Sequence, residues 1–155
     1  MKVTICAVGR LRKSPELSLI EDYLDRFNKA GRSMGLGPAA ITEVEDKKNL
    51  GMEAEAPLLE RAIPEGAVLV TLGERGQLIS SPGFAEKLGR WRDEARDVAF
   101  VIGGADGISP ALRAKADYSI SFGKMVWPHM LVRVMLAEQI YRAGQILAGT
   151  PYHRV

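Results

Sequence analysis

Two clusters of cationic and aromatic side chains hold most of the reactive chemistry in this sequence. The stretch Pro128-His129-Met130-Leu131-Val132-Arg133 sets an imidazole and a guanidinium four residues apart, and the chain ends on Tyr152-His153-Arg154-Val155. His129 and His153 are the only two histidines. Histidine titrates near neutral pH and can move a proton. Tyrosine, histidine and arginine together offer stacking, hydrogen bonding and phosphate pairing, a frequent nucleic-acid toolkit. Three further segments set glycines at the ends of apolar runs: "TLGERG" (Thr71 to Gly76), "VIGGADG" (Val101 to Gly107) and "SFGKMVWP" (Ser121 to Pro128). Glycine after a parallel strand lets a ligand approach bare backbone. If the three exits share one rim, they form one pocket. Asp106-Gly107 also suits a plain tight turn.

These residues need elements to position them. At about 100° per residue, Arg133 falls in the middle of an apolar helical face with Met130, Leu136, Ala137 and Ile140. Glu138, Gln139 and Arg142 fall on the far side, and His129 lies one turn earlier, about 40° from Arg133. A buried unpaired charge is expensive, so Arg133 must have a partner. Either it serves an anion or substrate site with His129, or it pairs structurally with carbonyls or with an acid across an oligomer interface. The tail is likewise open, as a solvated end or as part of a site.

Five apolar segments read as strands: Lys2 to Val8, Ala40 to Glu45, Ala67 to Leu72, Val98 to Ile102 and Tyr118 to Phe122. The third and fourth are nearly continuous apolar runs, as expected for strands covered on both faces. The second and fifth alternate, which predicts sheet edges. Helical patterns separate them. Ser14-Pro15, Ser81-Pro82 and Ser109-Pro110 are start signals, with serine as cap and proline at the first helical position. The first of these helices lines up Leu17, Ile20, Leu24 and Phe27. Another covers Met52 to Ile63, where Pro57 threatens an interruption. The last runs from about His129, behind Pro128, to Leu147. "NKAGRSMGLGPAA" (Asn28 to Ala40) reads as a glycine-rich loop. The alternation predicts a single α/β domain over residues 1–155, with a mainly parallel sheet and helices on both faces.

Composition narrows the function classes. The 155 residues carry a net charge of +2, too mild to demand a nucleic-acid partner and no obstacle to one. One cysteine, Cys6, excludes an internal disulfide framework and reads as a small buried hydrophobe. Two histidines exclude a multi-histidine metal site within one chain, and no metal is expected. The N-terminus reads as no signal peptide and no apolar run approaches a membrane span, so a cytoplasmic location without membrane contact is expected. No phosphate-binding loop, nucleophile elbow or HExxH occurs. "GLGPAA" (Gly35 to Ala40) mimics a dinucleotide fingerprint, but a helix precedes it, a strand follows it, and Pro38 removes an N–H.

Together, "VIGGADGIS", "SFGKMVWPHMLVRVMLAEQIYRA" and the terminal "PYHR", with "AVGRLR" and "VTLGERG", resemble the ribosomal large subunit methyltransferase H family of the SPOUT superfamily. The likeness covers essentially the whole chain, is strongest after Ala67, and is weakest over Asn28 to Glu53, which bears least on the site. It implies an α/β sheet whose C-terminal part forms a trefoil knot, a feature that periodicity does not reveal. It also implies a homodimer that uses S-adenosylmethionine to methylate N3 of a pseudouridine in helix 69 of 23S ribosomal RNA, within assembled ribosomes. Cofactor-binding residues would be Leu72 and Gly73, Gly103 and Gly104, and Phe122, Gly123, Lys124, Met125, Val126 and Trp127, largely through backbone groups. The catalytic set would be His129, Arg133, Tyr152, His153 and Arg154, with Arg154 and His129 near the base or its phosphate and Tyr152 at the cofactor. The imide proton leaves to a side chain or to solvent, and the tail reaches a pocket of its own chain or of the partner's. On this reading Tyr152 to Arg154 are ordered and only Val155 is dispensable. Competing readings are another SPOUT methyltransferase acting on transfer RNA or another ribosomal site, a non-catalytic ribosome-binding factor, and a dinucleotide-dependent oxidoreductase.

Overall fold

The central apolar runs pair side by side because they bury both of their faces. In the computed structural model, which describes residues 1–154, strands β1 (Val3–Val8), β2 (Ala39–Val44), β3 (Val68–Leu78), β4 (Val98–Ile102) and β5 (Tyr118–Ser121) form one sheet in the order β2-β1-β4-β3-β5. Every neighbouring pair is parallel. The alternating segments, β2 and β5, lie at the two edges, and the continuous ones, β3 and β4, lie inside.

The helices are α1 (Pro15–Gly31), α2 (Met52–Ala62), α3 (Ser81–Asp93), α4 (Pro110–Ala114) and α5 (His129–Ala148). Side chains alternate across a strand, so the sheet feeds two cores. On one face Ile5, Val70 and Phe100 meet Ile20, Leu24 and Phe27 of α1, Phe84 and Leu88 of α3, and Leu136 and Ile140 of α5. On the other, Cys6, Leu69 and Val101 meet Leu59 of α2 and Leu112 of α4. Each large side chain buried in this way contributes roughly 1.5–3 kcal/mol. The second face has only short helices over it and the smaller core.

Two of the three serine signals act as read. Ser14 accepts from Leu17 N–H at 3.1 Å and Ser109 from Leu112 N–H at 3.2 Å. At the third, the cap is Ser80, one residue earlier, which accepts from Gly83 N–H at 3.1 Å. Ser81 is already helical and donates to Gln139 on α5 at 2.7 Å. Either serine could cap; the bond to α5 selects the arrangement. Pro57 lies inside α2 without ending it. The glycine-rich stretch is not all loop, because α1 runs on to Gly31 and a 3-10 turn, Arg32–Met34, follows. β3 also outlasts its expected end at Leu72, with consequences for the site.

Candidate cofactor and catalytic site

Parallel strands send all their carboxyl ends to one rim, where ligands of such sheets bind. A cavity of about 600 Å³ opens there among the exits of β3, β4 and β5. Its wall includes Leu72 and Gly73, Gly103 and Gly104, and Phe122, Gly123, Met125, Val126 and Trp127, with His129 beside them. Lys124 is exposed and outside the lining.

Local geometry explains each exit. In β3, Leu72 and Gln77 both pair with Ile120, so Gly73 to Gly76 are extruded from the ladder. Gly76 makes this possible: a Cβ there would lie 2.5 Å from the Ile120 carbonyl carbon. The Ser121 hydroxyl then ties the excursion to the next exit. It accepts from Gly123 N–H at 3.1 Å and lies 3.2 Å from the Glu74 carbonyl and 2.9 Å from that of Gly123, donating to one of them. After β4, Gly107 N–H closes a turn onto the Gly104 carbonyl at 3.0 Å. Gly103 packs against that turn so closely that a Cβ would sit 2.4 Å from the Gly107 carbonyl carbon. The third exit is apolar and open: Met125 is 71% and Val126 78% exposed.

Arg133 resolves one of the alternatives left by the sequence. It is fully buried. Its guanidinium donates to the Val8 carbonyl, to the Gly9 carbonyl at 2.9 Å and to Glu43 at 3.1 Å. It is therefore paired to carbonyls and an acid of its own chain, and it does not line the cavity. Its role is to fix the start of α5 against the ends of β1 and β2. His129, one turn earlier, does line the cavity, and its Nδ1 is buried without a partner among the described residues. Burial, and then the charge of Arg133, push its pKa below the ordinary histidine value, so the ring is neutral at pH 7.

The tail is held, but elsewhere. The Tyr152 ring packs edge-on to Tyr141 at 4.8 Å, under the Arg142 guanidinium, and its hydroxyl donates to Glu138 at 3.3 Å. His153 Nδ1 lies 3.1 Å from Arg142, while Arg154 is exposed. Val155 lies outside the described residues. None of Tyr152, His153 and Arg154 lines the cavity of its own chain. The cavity wall holds other residues that the sequence did not single out, Met52, Arg113 and Val132, and Glu55 stands behind Gly104. Ser-Pro spacing located α4, yet nothing in the linear sequence marks Arg113 as facing a pocket formed by distant strand ends.

A parallel sheet with a glycine-walled cavity at its carboxyl rim defines an α/β ligand-binding protein, and the comparisons sharpen the class. A probable methylase family protein from Haemophilus influenzae Rd KW20 superposes with a TM-score of 0.55 at 12% identity, covering 99% of this chain and 70% of that one, a likeness of fold. The family model described as "Predicted SPOUT methyltransferase" matches residues 1–153. Proteins named ribosomal RNA large subunit methyltransferase H are similar over their whole length. That from Ruegeria sp. (strain TM1040) is 69% identical, with 100% of both chains covered, and that from Paracoccus denitrificans (strain Pd 1222) is 70% identical, with 99% of both covered. The chain belongs to the SPOUT methyltransferase family, and within it to the ribosomal RNA large subunit methyltransferase H group.

Proposed function

We propose that this protein transfers a methyl group from S-adenosylmethionine to N3 of a pseudouridine in helix 69 of 23S ribosomal RNA, on assembled ribosomes in the cytoplasm, as a homodimer of single-domain chains. The observation that carries the reading is the glycine-walled rim cavity in a chain 69% identical, end to end, to a protein named for large-subunit ribosomal RNA methylation. The cavity suits the cofactor. Its volume falls within the usual range for small-molecule sites. Gly73 leaves open space where any other residue would project a Cβ, and Phe122, Met125, Val126 and Trp127 offer apolar surface to a nucleoside. Leu72, Gly73, Gly103, Gly104 and the Phe122 to Trp127 segment would hold it, mainly through backbone groups.

The bound cofactor supplies an electrophilic methyl on a sulfonium. The protein must align the nucleophile with it, so positioning is a large part of the catalysis. The imide N3 must also lose a proton. His129, neutral and on the cavity wall, is able to accept it. Arg133 anchors the turn that carries His129 and acts through it. Tyr152, His153 and Arg154 do not line their own cavity, which favours the partner's tail as the one that completes each site. The exposed apolar side chains Met125, Val126, Met130 and Leu131 offer a surface for that partner. Mass mapping of 23S ribosomal RNA tests the reading. After incubation with enzyme and S-adenosylmethionine, whole ribosomes should gain one methyl within helix 69. No methylation, or methylation of transfer RNA instead, would overturn it.

A further inference from the structure

Four arginines are at least half-buried among the described residues: Arg92, Arg113, Arg133 and Arg142. Three have partners. Arg92 pairs with Asp93 and the Met34 carbonyl, Arg133 with Glu43 and two carbonyls, and Arg142 with Glu138. Arg113 differs. It lines the rim cavity from α4, and its Nε, like that of Arg133, is buried with no acceptor, but no ion pair or side-chain hydrogen bond holds the rest of its guanidinium among the described residues. Buried donors left unpaired are costly and therefore rare. Arg75, also on the wall, is exposed and can be satisfied by water.

The cavity is chemically uneven. The Phe122 to Trp127 segment lines it with Phe122, Met125, Val126 and Trp127, all apolar side chains. The Gly104 to Arg113 segment lines it with both Asp106 and Arg113, one charge of each sign. A ligand with an apolar, aromatic portion and a zwitterionic portion matches this division. A planar guanidinium selects a carboxylate, which it can bind through two parallel hydrogen bonds.

We infer that Arg113 binds the carboxylate of the amino-acid end of the cofactor, an inference that rests on the reading of this cavity as an S-adenosylmethionine site. The guanidinium gains its missing acceptor only when the cavity is filled. Arg113 is then a cofactor-binding residue that reads the amino-acid portion of the ligand, while backbone groups of the glycine exits serve the rest. RNA phosphate is a weaker candidate for this position, because a backbone phosphate is accessible to exposed cations, such as Arg75 and Arg154, without desolvating an arginine.

Calorimetry on the purified full chain isolates the contact, using S-adenosylhomocysteine and the analogue of it that lacks only the carboxyl group. The wild-type protein should bind S-adenosylhomocysteine about 10- to 100-fold more tightly than the analogue, as expected for a charge-assisted contact. Arg113→Met should weaken S-adenosylhomocysteine to the affinity of the analogue and leave the analogue unchanged. Arg113→Lys should recover part of the difference. Equal affinity of the wild-type protein for both compounds overturns the inference without recourse to any variant, so a folding defect cannot obscure it. Equal weakening of both by Arg113→Met also overturns it, and so does unchanged binding accompanied by weaker ribosome association, which would assign the guanidinium to RNA. Failure of the wild-type protein to bind either compound refutes the cofactor reading itself.

Discussion

Replacing Gly103 by alanine tests whether the turn after β4 is a ligand cradle built to a tolerance of about a methyl group. The added Cβ would lie 2.4 Å from the Gly107 carbonyl carbon, 2.5 Å from its oxygen and 2.9 Å from Ile108 N, all of them backbone atoms. Ordinary contact is about 3.5–4 Å, so the turn must retreat by roughly 1 Å. The bond that closes it, Gly107 N–H to the Gly104 carbonyl, is 3.0 Å long and has little slack. Overpacking of this kind costs about 1–3 kcal/mol. For a chain of this size that lowers Tm by roughly 2–12 °C. Gly73→Ala is the matched control. Its Cβ meets nothing within 4 Å and its φ is unrestrictive, so the fold should be spared while a methyl enters the cavity. The assay pairs thermal unfolding with calorimetric titration of S-adenosylhomocysteine. Gly103→Ala should lose both stability and binding, at least about tenfold in Kd, whereas Gly73→Ala should lose binding alone. Wild-type affinity in both variants would refute the placement of the ligand between these exits.

Other consequences follow from the same geometry. Arg133→Met removes the guanidinium from the Val8 and Gly9 carbonyls and leaves Glu43 with the Leu11 N–H alone, and should cost about 3–5 kcal/mol in urea unfolding; a loss below about 1 kcal/mol would mean that the pair is replaceable by packing. Arg154→Ala should leave unfolding and S-adenosylhomocysteine binding within error, yet lower ribosome methylation at least about tenfold; unchanged methylation removes the tail from the proposed site. Glu55 behaves oppositely to an ordinary paired acid. Burial, then Asp46 and Asp106, raise its pKa above the usual glutamate range, while the Gly104 backbone partly opposes the shift. The stability linked to its proton is complete below the unfolded-state value, about 4.3, and is lost as pH rises through the raised folded value. Glu55→Gln should therefore be more stable than the wild type at pH 8 and no different at pH 4, and urea unfolding at the two pH values reads the difference; a variant less stable at pH 8 contradicts this assignment of the burial cost.

Much of the scaffold was legible because it is local. Continuous apolar runs marked β3 and β4, alternation marked the edges, and Ser-Pro pairs marked three helix starts to within one residue. What sequence periodicity could not supply is set by register. The extrusion of Gly73 to Gly76 depends on Leu72 and Gln77 competing for Ile120, a partner more than forty residues away. Arg133 was legible as a charge on an apolar face but not as a residue tied to Val8 and Gly9, because helix geometry states a need without naming the acceptor. Arg113 and Glu55 looked like ordinary helix charges, and only the convergence of α2, α4 and the Gly103 turn makes them part of the cavity surroundings.

The buried arginine and the neutral histidine belong to one device. Arg133 fastens the first turn of α5 to the carboxyl ends of β1 and β2, on the opposite side of β4 from the cavity's outer wall. Its charge, fixed one helical turn from His129, adds to burial in keeping that imidazole unprotonated. The same residue thus positions the candidate proton acceptor and biases it toward the form able to accept. The tail has no such link to the cavity. Tyr152 and His153 are clasped to Glu138 and Arg142 further along α5, with only Arg154 left exposed among the three. A chain that holds its acceptor on the first turn of α5 and its tail clasp about two and a half to three and a half turns later separates two halves of the proposed chemistry. The exposed side chains Met125, Val126, Met130 and Leu131 lie beside the first half. A second copy seated there would cover them and could bring its own Arg154 to the rim, which is why the proposed active site calls for two chains.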